Sequence, residues 1–360
     1  MSQFVYVSLQ DEDKIMVFGL DPTTGSLTLQ SEVTAAGSPS ALTTNPEGNI
    51  IYASLRNSNE IASFSVDGNT GGLKQISKIS VGASPTYLCT DRQGKFLLAA
   101  YYQGRHVGVH QIQADHSLRD TPVQWLETDI GAHSINVDRS NQYAFVPHIA
   151  RIQDNVLGPP PEELGPNVIF QFKFDPNSGQ LTPNVPLKLD SDGFLGPRHY
   201  CYHPSLDIVY FSNEQGCSVS SYRLAPESGT LSPLQTISTV PDGFEGRNTC
   251  SQIQITAEGT LLYVPNRGHN SMAGFTINSD GILTSAGQSP TEAVPSACRL
   301  DTSGNFLFAA GSASDRLATY KVNSDTGALS LLETYQVGKR PKEVLAISFF
   351  FLLEGVNFLM

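Results

Sequence analysis

The sequence predicts an all-β chain whose seven blades, each of four antiparallel strands, form a closed ring. Three observations predict it. A phrase of about 46 residues recurs along the chain, each copy holds four short apolar runs, and the two termini supply complementary fragments of one copy. No stretch carries the 3.6-residue period of a helix.

Each copy opens on a small residue or proline and continues as an apolar run. A polar turn with Gly or Asn follows, then a second apolar run ending in a small residue. The openings are Pro39, Pro85, His133, Pro197, Thr249, Pro295 and Pro341. The second runs include Ile51-Tyr52-Ala53-Ser54, Leu97-Leu98-Ala99-Ala100, Val209-Tyr210-Phe211-Ser212 and Leu307-Phe308-Ala309-Ala310. Two further period-2 runs complete each copy, as in Ile61 to Val66 and Leu73 to Ile76. A turn of the form Asp-x-x-x-Gly-x-Leu separates such runs at Asp21 to Leu27 and Asp175 to Leu181, and in shortened form at Asp325 to Leu329. Four strands per unit at this period describe the blades of a β-propeller. Phe4 to Ser8 reads as a second strand without a first, and Pro341 to Ile347 as a first strand without a second. Joined, they close the ring and remove an open edge. The expected domain is residues 1–347, with a proline-marked insertion loop at about 152–166 and an apolar tail, 348–360, outside the fold.

Composition narrows the function classes. The formal net charge of −12 opposes a nucleic-acid or anionic-membrane partner. An anionic ligand would need positive charge gathered in a pocket. Five cysteines stand far apart without a CxxC pair, which predicts free thiols and a reducing cytoplasm. The N-terminus shows no basic segment followed by an apolar run, so no secretory signal is expected.

The repeat also places charged residues. In an antiparallel hairpin the start of the first strand and the end of the second share one rim. Arg198 opens the fourth unit and Glu214 closes its second strand. His133 and His148 stand in the same relation in the third unit. Arg247 precedes the fifth, and Asn266 and Arg267 close its second strand. The other opening positions are Ser40, Thr86, Ser296 and Lys342, mostly uncharged. His199 alternates with Arg198 across the pleat, so one of the two is expected to face the channel. The bland alternatives are an Arg198–Glu214 ion pair tying two strands, turn chemistry for Arg267 and a capped surface group for His148. His203, before Pro204, reads as structural. No ligand spacing demands a metal at His133, His148 and Glu214, and no cofactor is called for.

One tryptophan excludes the Trp-Asp repeat, and kelch double glycines are absent. Gly196-Pro197-Arg198-His199 with His203-Pro204, Ser212-Asn213-Glu214, Asn266-Arg267-Gly268-His269-Asn270-Ser271 and Pro290-Thr291-Glu292 resemble the seven-bladed lactonase family over about residues 3–347. That family includes cycloisomerase-type 6-phosphogluconolactonases and fungal carboxy-cis,cis-muconate cyclases. The resemblance implies a small anionic sugar lactone as substrate, most simply 6-phosphogluconolactone of the pentose phosphate pathway; a monomer or weak homo-oligomer is the expected assembly. It also implies a catalytic set of His133, Arg198, Glu214 and Arg247, with His199, Arg267, Asn266 and His148 binding substrate. His133 or Glu214 is then the base, Arg198 orients it or holds the oxyanion, and Arg247 with Arg267 or His199 holds phosphate. Without a nucleophilic Ser or Cys motif, water attacks directly. A muconate-type cycloisomerase and a non-enzymatic binding propeller are the competing classes.

Overall fold

The computed structural model describes residues 2–150, 155–191 and 193–349. Among them, seven four-stranded antiparallel sheets form and no helix does. Six blades use four consecutive strands, and the seventh joins the two ends of the chain. In that blade Pro341–Phe349 pairs antiparallel with Ser2–Leu9, which pairs with Lys14–Leu20 and then Leu27–Thr34. The closing strand therefore runs two residues past the expected Ile347. Ser348 pairs with Gln3 and Phe349 with Ser2, and the Phe349 ring meets Phe4 at 6.2 Å. The remainder of the expected tail, 350–360, lies outside the described residues, as do 151–154 at the start of the insertion. Residues 155–166 form no strand, only an isolated bridge from Asn155 to Gly158.

The second strand of every blade is buried on both faces, because each blade is sandwiched between two others. Ile50–Leu55, Phe96–Tyr101 and Ile208–Asn213 carry no exposed residue, which is why they read as continuous apolar runs rather than alternating ones. The outermost strands, such as Leu73–Ser80, are mostly polar and exposed, and they blunt the sheet edges. Seven apolar clusters fill the interfaces between adjacent blades. Tyr6, Phe64 and Leu345 lie between the seventh and first, and Tyr143, Phe145 and Tyr200 between the third and fourth.

The Asp-x-x-x-Gly-x-Leu turn joins a blade to its predecessor. Asp21 Oδ1 accepts from the amides of Thr23 and Thr24, and Gly25 closes the turn onto the Asp21 carbonyl at 2.9 Å. Gly25 has φ +77, and a Cβ there would lie 2.5 Å from the Phe306 ring of the neighbouring blade. Gly71 meets Phe4 in the same way. The copy expected to be shortened at Asp325 is full length. Asn323 replaces the aspartate and accepts from the amides of Asp325 and Thr326 at 3.0 Å.

Ring closure makes a direct test. Val344, fully buried on the closing strand, pairs with Val7. Val344→Asp buries an unpaired carboxylate and is expected to cost about 3 kcal/mol or more in urea unfolding. A loss below about 1 kcal/mol would show that closure contributes little.

Candidate functional site

The openings of the seven innermost strands converge on a small cavity, about 80 Å³, at one mouth of the central channel. Every blade contributes through its opening: Ser40, Thr86, His133, Arg198, Gln252, Ser296 and Lys342 line it in ring order. A β-bulge recurs at these openings. Pro197 pairs with Asn213 and His199 with Ser212, leaving Arg198 unpaired between them. Ser296 and Lys342 occupy the same position in their blades. A bulge sets two residues of one strand opposite one of its partner. Arg198 and His199 therefore both line the cavity, contrary to the expected alternation. At four of the five proline openings the residue before the proline is left-handed: Ser38, Gly196, Val294 and Arg340 all have φ between 55 and 65.

Behind this wall Glu214 is clamped. Its Oε2 accepts from Arg198 Nε at 2.9 Å and Arg267 Nη2 at 2.8 Å, and Arg267 also donates to the Cys250 carbonyl at 2.7 Å. Burial alone would raise the Glu214 carboxyl; the charges and hydrogen bonds of Arg267 and Arg198 take it below its ordinary value. Arg198 is pulled down to about 10 by burial and by the charge of Arg267. Burial, then the arginine charges, hold the His133 and His199 imidazoles well below the usual histidine range, so both rings are neutral at pH 7. The two rings meet edge to face at 4.9 Å, with Tyr87 on His199 and Tyr102 on His133. Four buried polar atoms here have no partner among the described residues: His133 Nδ1, His199 Nε2, Arg198 Nη1 and Arg267 Nε. Unsatisfied donors and acceptors gathered at one cavity mark a place for a polar ligand.

Four of the expected residues, His133, Arg198, His199 and Arg267, thus share the cavity wall, with Glu214 directly behind. The other three do not join them. Arg247 is exposed and lines a separate surface hollow of about 290 Å³ with Gln215, Cys217 and Asn248, sharing no wall residue with the central cavity. The second arginine of the cluster is Arg267. His148 is buried in the blade interface, its ring 4.4 Å from Phe170 and its Nδ1 3.0 Å from the Val146 carbonyl. Asn266 braces the rim, accepting from Thr239 and Asn248 and donating to the Thr239 carbonyl and Ser271. One register step accounts for both: His148 and Asn266 are the last residues of their strands, and the cavity-facing position is the next one. Glu214 and Arg267 hold that next position, and so does Arg56, which follows Ile50–Leu55. His133, His148 and Glu214 consequently do not form a group, and no trio of possible metal ligands occurs among the described residues.

Reading the sequence missed Arg56, Tyr87, Gln252 and Glu343, and set Lys342 among the unremarkable openings. All five line the cavity. The repeat held the signal. Tyr87, His199 and Glu343 each stand two residues after an opening proline, as Ala41 does, and Gln252 stands two after Cys250, whose bridge to Asn266 matches that of Pro197 to Asn213. Arg56, Arg198, Arg267 and Lys342 make the wall strongly cationic in a protein of net charge −12. Lys342 is brought down to about 8 by burial and by Arg340, Arg267, Arg198 and Arg56.

Below the cavity the channel continues into a chamber of about 300 Å³ that shares Ala41, Tyr87, His199, Gln252 and Glu343 with it. A hollow of about 420 Å³ lies at the opposite mouth and contains Arg92, Arg299 and Asp301. Arg92 there is spent on the carbonyls of Asp138 and Val137. Among the described residues that mouth has no counterpart of the His133–Arg198–Glu214–Arg267 cluster. No helix among the described residues is long and apolar enough to cross a membrane, and the five cysteines are free.

The family described as "Lactonase, 7-bladed beta-propeller" matches residues 4–346. A 6-phosphogluconolactonase of Yersinia pestis is 32% identical over 244 residues, 68% of either chain. One from Pectobacterium carotovorum is 31% identical over 251 residues, 69% of this chain and 70% of that one. Among solved structures, a periplasmic gluconolactonase of Pseudomonas aeruginosa shares the fold with a TM-score of 0.85 at 22% identity, covering 97% of this chain and 99% of that one. A putative 6-phosphogluconolactonase of Bacteroides fragilis does so at 0.83 and 21%, covering 96% and 98%. The blades, the bulged openings and these matches agree: the chain belongs to the seven-bladed β-propeller lactonase family.

Proposed function

We propose that the protein hydrolyses a phosphorylated sugar lactone, 6-phosphogluconolactone being the simplest, by direct attack of water in the rim cavity. The observation that carries this reading is the cationic wall. Glu214 offsets one of four cations, and the excess suits a dianion brought to an otherwise acidic protein. The Yersinia and Pectobacterium relatives named 6-phosphogluconolactonase support it. Free thiols support a cytoplasmic setting, where the reaction would serve the pentose phosphate pathway.

Each part of the cavity has a role in this reading. Arg198, held by Glu214 through Nε, presents its unpartnered Nη1 to the lactone carbonyl, where negative charge develops on attack. Arg56 and Lys342, free of carboxylate partners among the described residues, take the phosphate in place of Arg247. His133 and His199, neutral and partly unpartnered, supply hydrogen bonds to the sugar hydroxyls. Glu214 is not the base. Its Oε2 is shared by two guanidinium groups and its proton affinity is lowered, so its work is to position Arg198 and Arg267.

Purified protein should hydrolyse 6-phosphogluconolactone well above the spontaneous rate, followed by proton release; a rate equal to the spontaneous one would overturn the reading. Arg198→Ala should lower kcat/KM by roughly 10²–10³-fold with the circular dichroism spectrum intact. Unfolding of that variant would instead make the Arg198–Glu214 pair a structural tie. Lys342→Met should raise KM for the phosphorylated lactone at least about tenfold more than for glucono-δ-lactone, whose lack of phosphate removes the partner.

A further inference from the structure

We propose that Glu343, on the ring-closing strand, is the general base that activates the attacking water, and that Gln252 is its positioning residue. This rests on the lactone-hydrolysis reading above and adds a catalytic residue to it.

Glu343 stands where the upper cavity meets the deeper chamber and lines both. Substrate enters from the cationic rim, and the chamber below holds room for water on the other side of the same carboxylate. The side chain is fixed from one end. Gln252 Nε2 donates to Glu343 Oε1 at 2.8 Å, and Gln252 Oε1 accepts the Cys298 amide at 2.8 Å, so the amide cannot flip without losing both bonds. The Glu343 backbone amide donates to Ser8 Oγ at 3.0 Å, which sets the strand itself. No side chain among the described residues donates to Oε2; the Val344 backbone amide also supports the charged form of the carboxyl, and the side chain borders both the cavity and the chamber, where water can reach it.

The contrast with Glu214 assigns the roles. Both carboxylates serve one site, and their surroundings differ. Glu214 touches two guanidinium groups at 2.8 and 2.9 Å, whereas no cationic nitrogen among the described residues lies within 4.0 Å of Glu343. Burial therefore dominates at Glu343 and pushes its carboxyl up to about 7, against the Gln252 hydrogen bond, the charge of Arg299, the Val344 amide and the more distant charge of Arg198. A carboxylate whose proton affinity lies near the working pH is matched to general-base catalysis, and a pair of carboxyls driven apart separates acid–base work from charge holding. The two imidazoles, lowered by burial and by arginine, are weaker bases.

In the step itself, Glu343 Oε2 takes a proton from water while the water oxygen bonds to the lactone carbonyl carbon. The carbonyl π electrons move onto its oxygen, facing Arg198. Collapse of this intermediate breaks the bond to the ring oxygen, which takes back the proton from Glu343. The products are the open-chain carboxylic acid, which ionises, and its free hydroxyl.

The sign of the pH dependence follows. Below about pH 7 Glu343 is protonated and cannot accept a proton, so kcat should rise with pH through that region. Glu343→Gln keeps the shape and removes the base. It should lower kcat by roughly 10²–10⁴-fold, hold KM within about threefold, and abolish the acid limb of the profile. Glu343→Asp should retain the limb with reduced kcat. Gln252→Leu should move the limb to higher pH, because the lost hydrogen bond favoured the charged form; a structural role for Gln252 would leave the limb in place. Urea midpoints measured alongside separate folding defects from these effects. An active wild type whose Glu343→Gln variant keeps its kcat or its acid limb overturns the role of Glu343 alone. A wild type inert toward every lactone overturns the hydrolase reading and this role with it.

Discussion

The pairing of Pro341–Phe349 with Ser2–Leu9 is the constraint on which the rest of the molecule depends. A cavity built from seven strand openings exists only if the seventh opening is held in the circle. That opening is supplied by the end of the chain and fixed by its beginning. The same pairing carries Lys342 and Glu343 to the axis, one at the bulge and one just below it. Fold closure and completion of the site are therefore one event: a chain unable to close would lose a wall cation and a carboxylate together. The apolar clusters at the seven blade interfaces stabilise the ring collectively, and the glycine turns at Gly25 and Gly71 tie each blade to the one before it.

Within the ring, chemistry arises where the copies depart from one another. At the position after the second strand, the first, fourth and fifth blades carry Arg56, Glu214 and Arg267, whereas the third carries Ile149 and the sixth Ser312. One turn geometry thus delivers charge from two adjacent blades, the fourth and fifth, and from the first across the ring. Two carboxylates on this frame acquire opposite characters. Glu214, between guanidinium groups, is a fixed anion that aims its partners. Glu343, sheltered from direct ion pairing and held by an amide, keeps a proton affinity near neutrality.

The fold was legible because a propeller repeats its instructions. Period, strand count and complementary termini each point to the same ring, and no single copy had to be decisive. The site was legible only in part, for a specific reason. His133 and Arg198 open strands at a shared phase, and Glu214 follows at a rim-sharing distance, so convergence could be argued from the hairpin alone. Choosing between Asn266 and Arg267, or between His148 and its neighbours, required the register to a single residue. A bulge shifts that register without any residue type announcing it. Arg247 was misplaced because the chain before the fifth blade leaves the rim as an exposed loop, anchored by Asn248 through Asn266, rather than entering the strand directly. Glu343 escaped notice because its significance lies in what is missing around it, an arginine partner, and that is a property of packing rather than of sequence.

The account stands or falls on one cavity receiving an anionic sugar acid in a defined orientation. A crystal structure with the product 6-phosphogluconate bound tests this most directly. The account predicts phosphate against Arg56 and Lys342, the carboxylate within hydrogen-bond reach of Arg198 Nη1, and a water or carboxylate oxygen beside Glu343 Oε2. Density for the ligand in the hollow lined by Arg247, or at the opposite mouth beside Arg299, would contradict it.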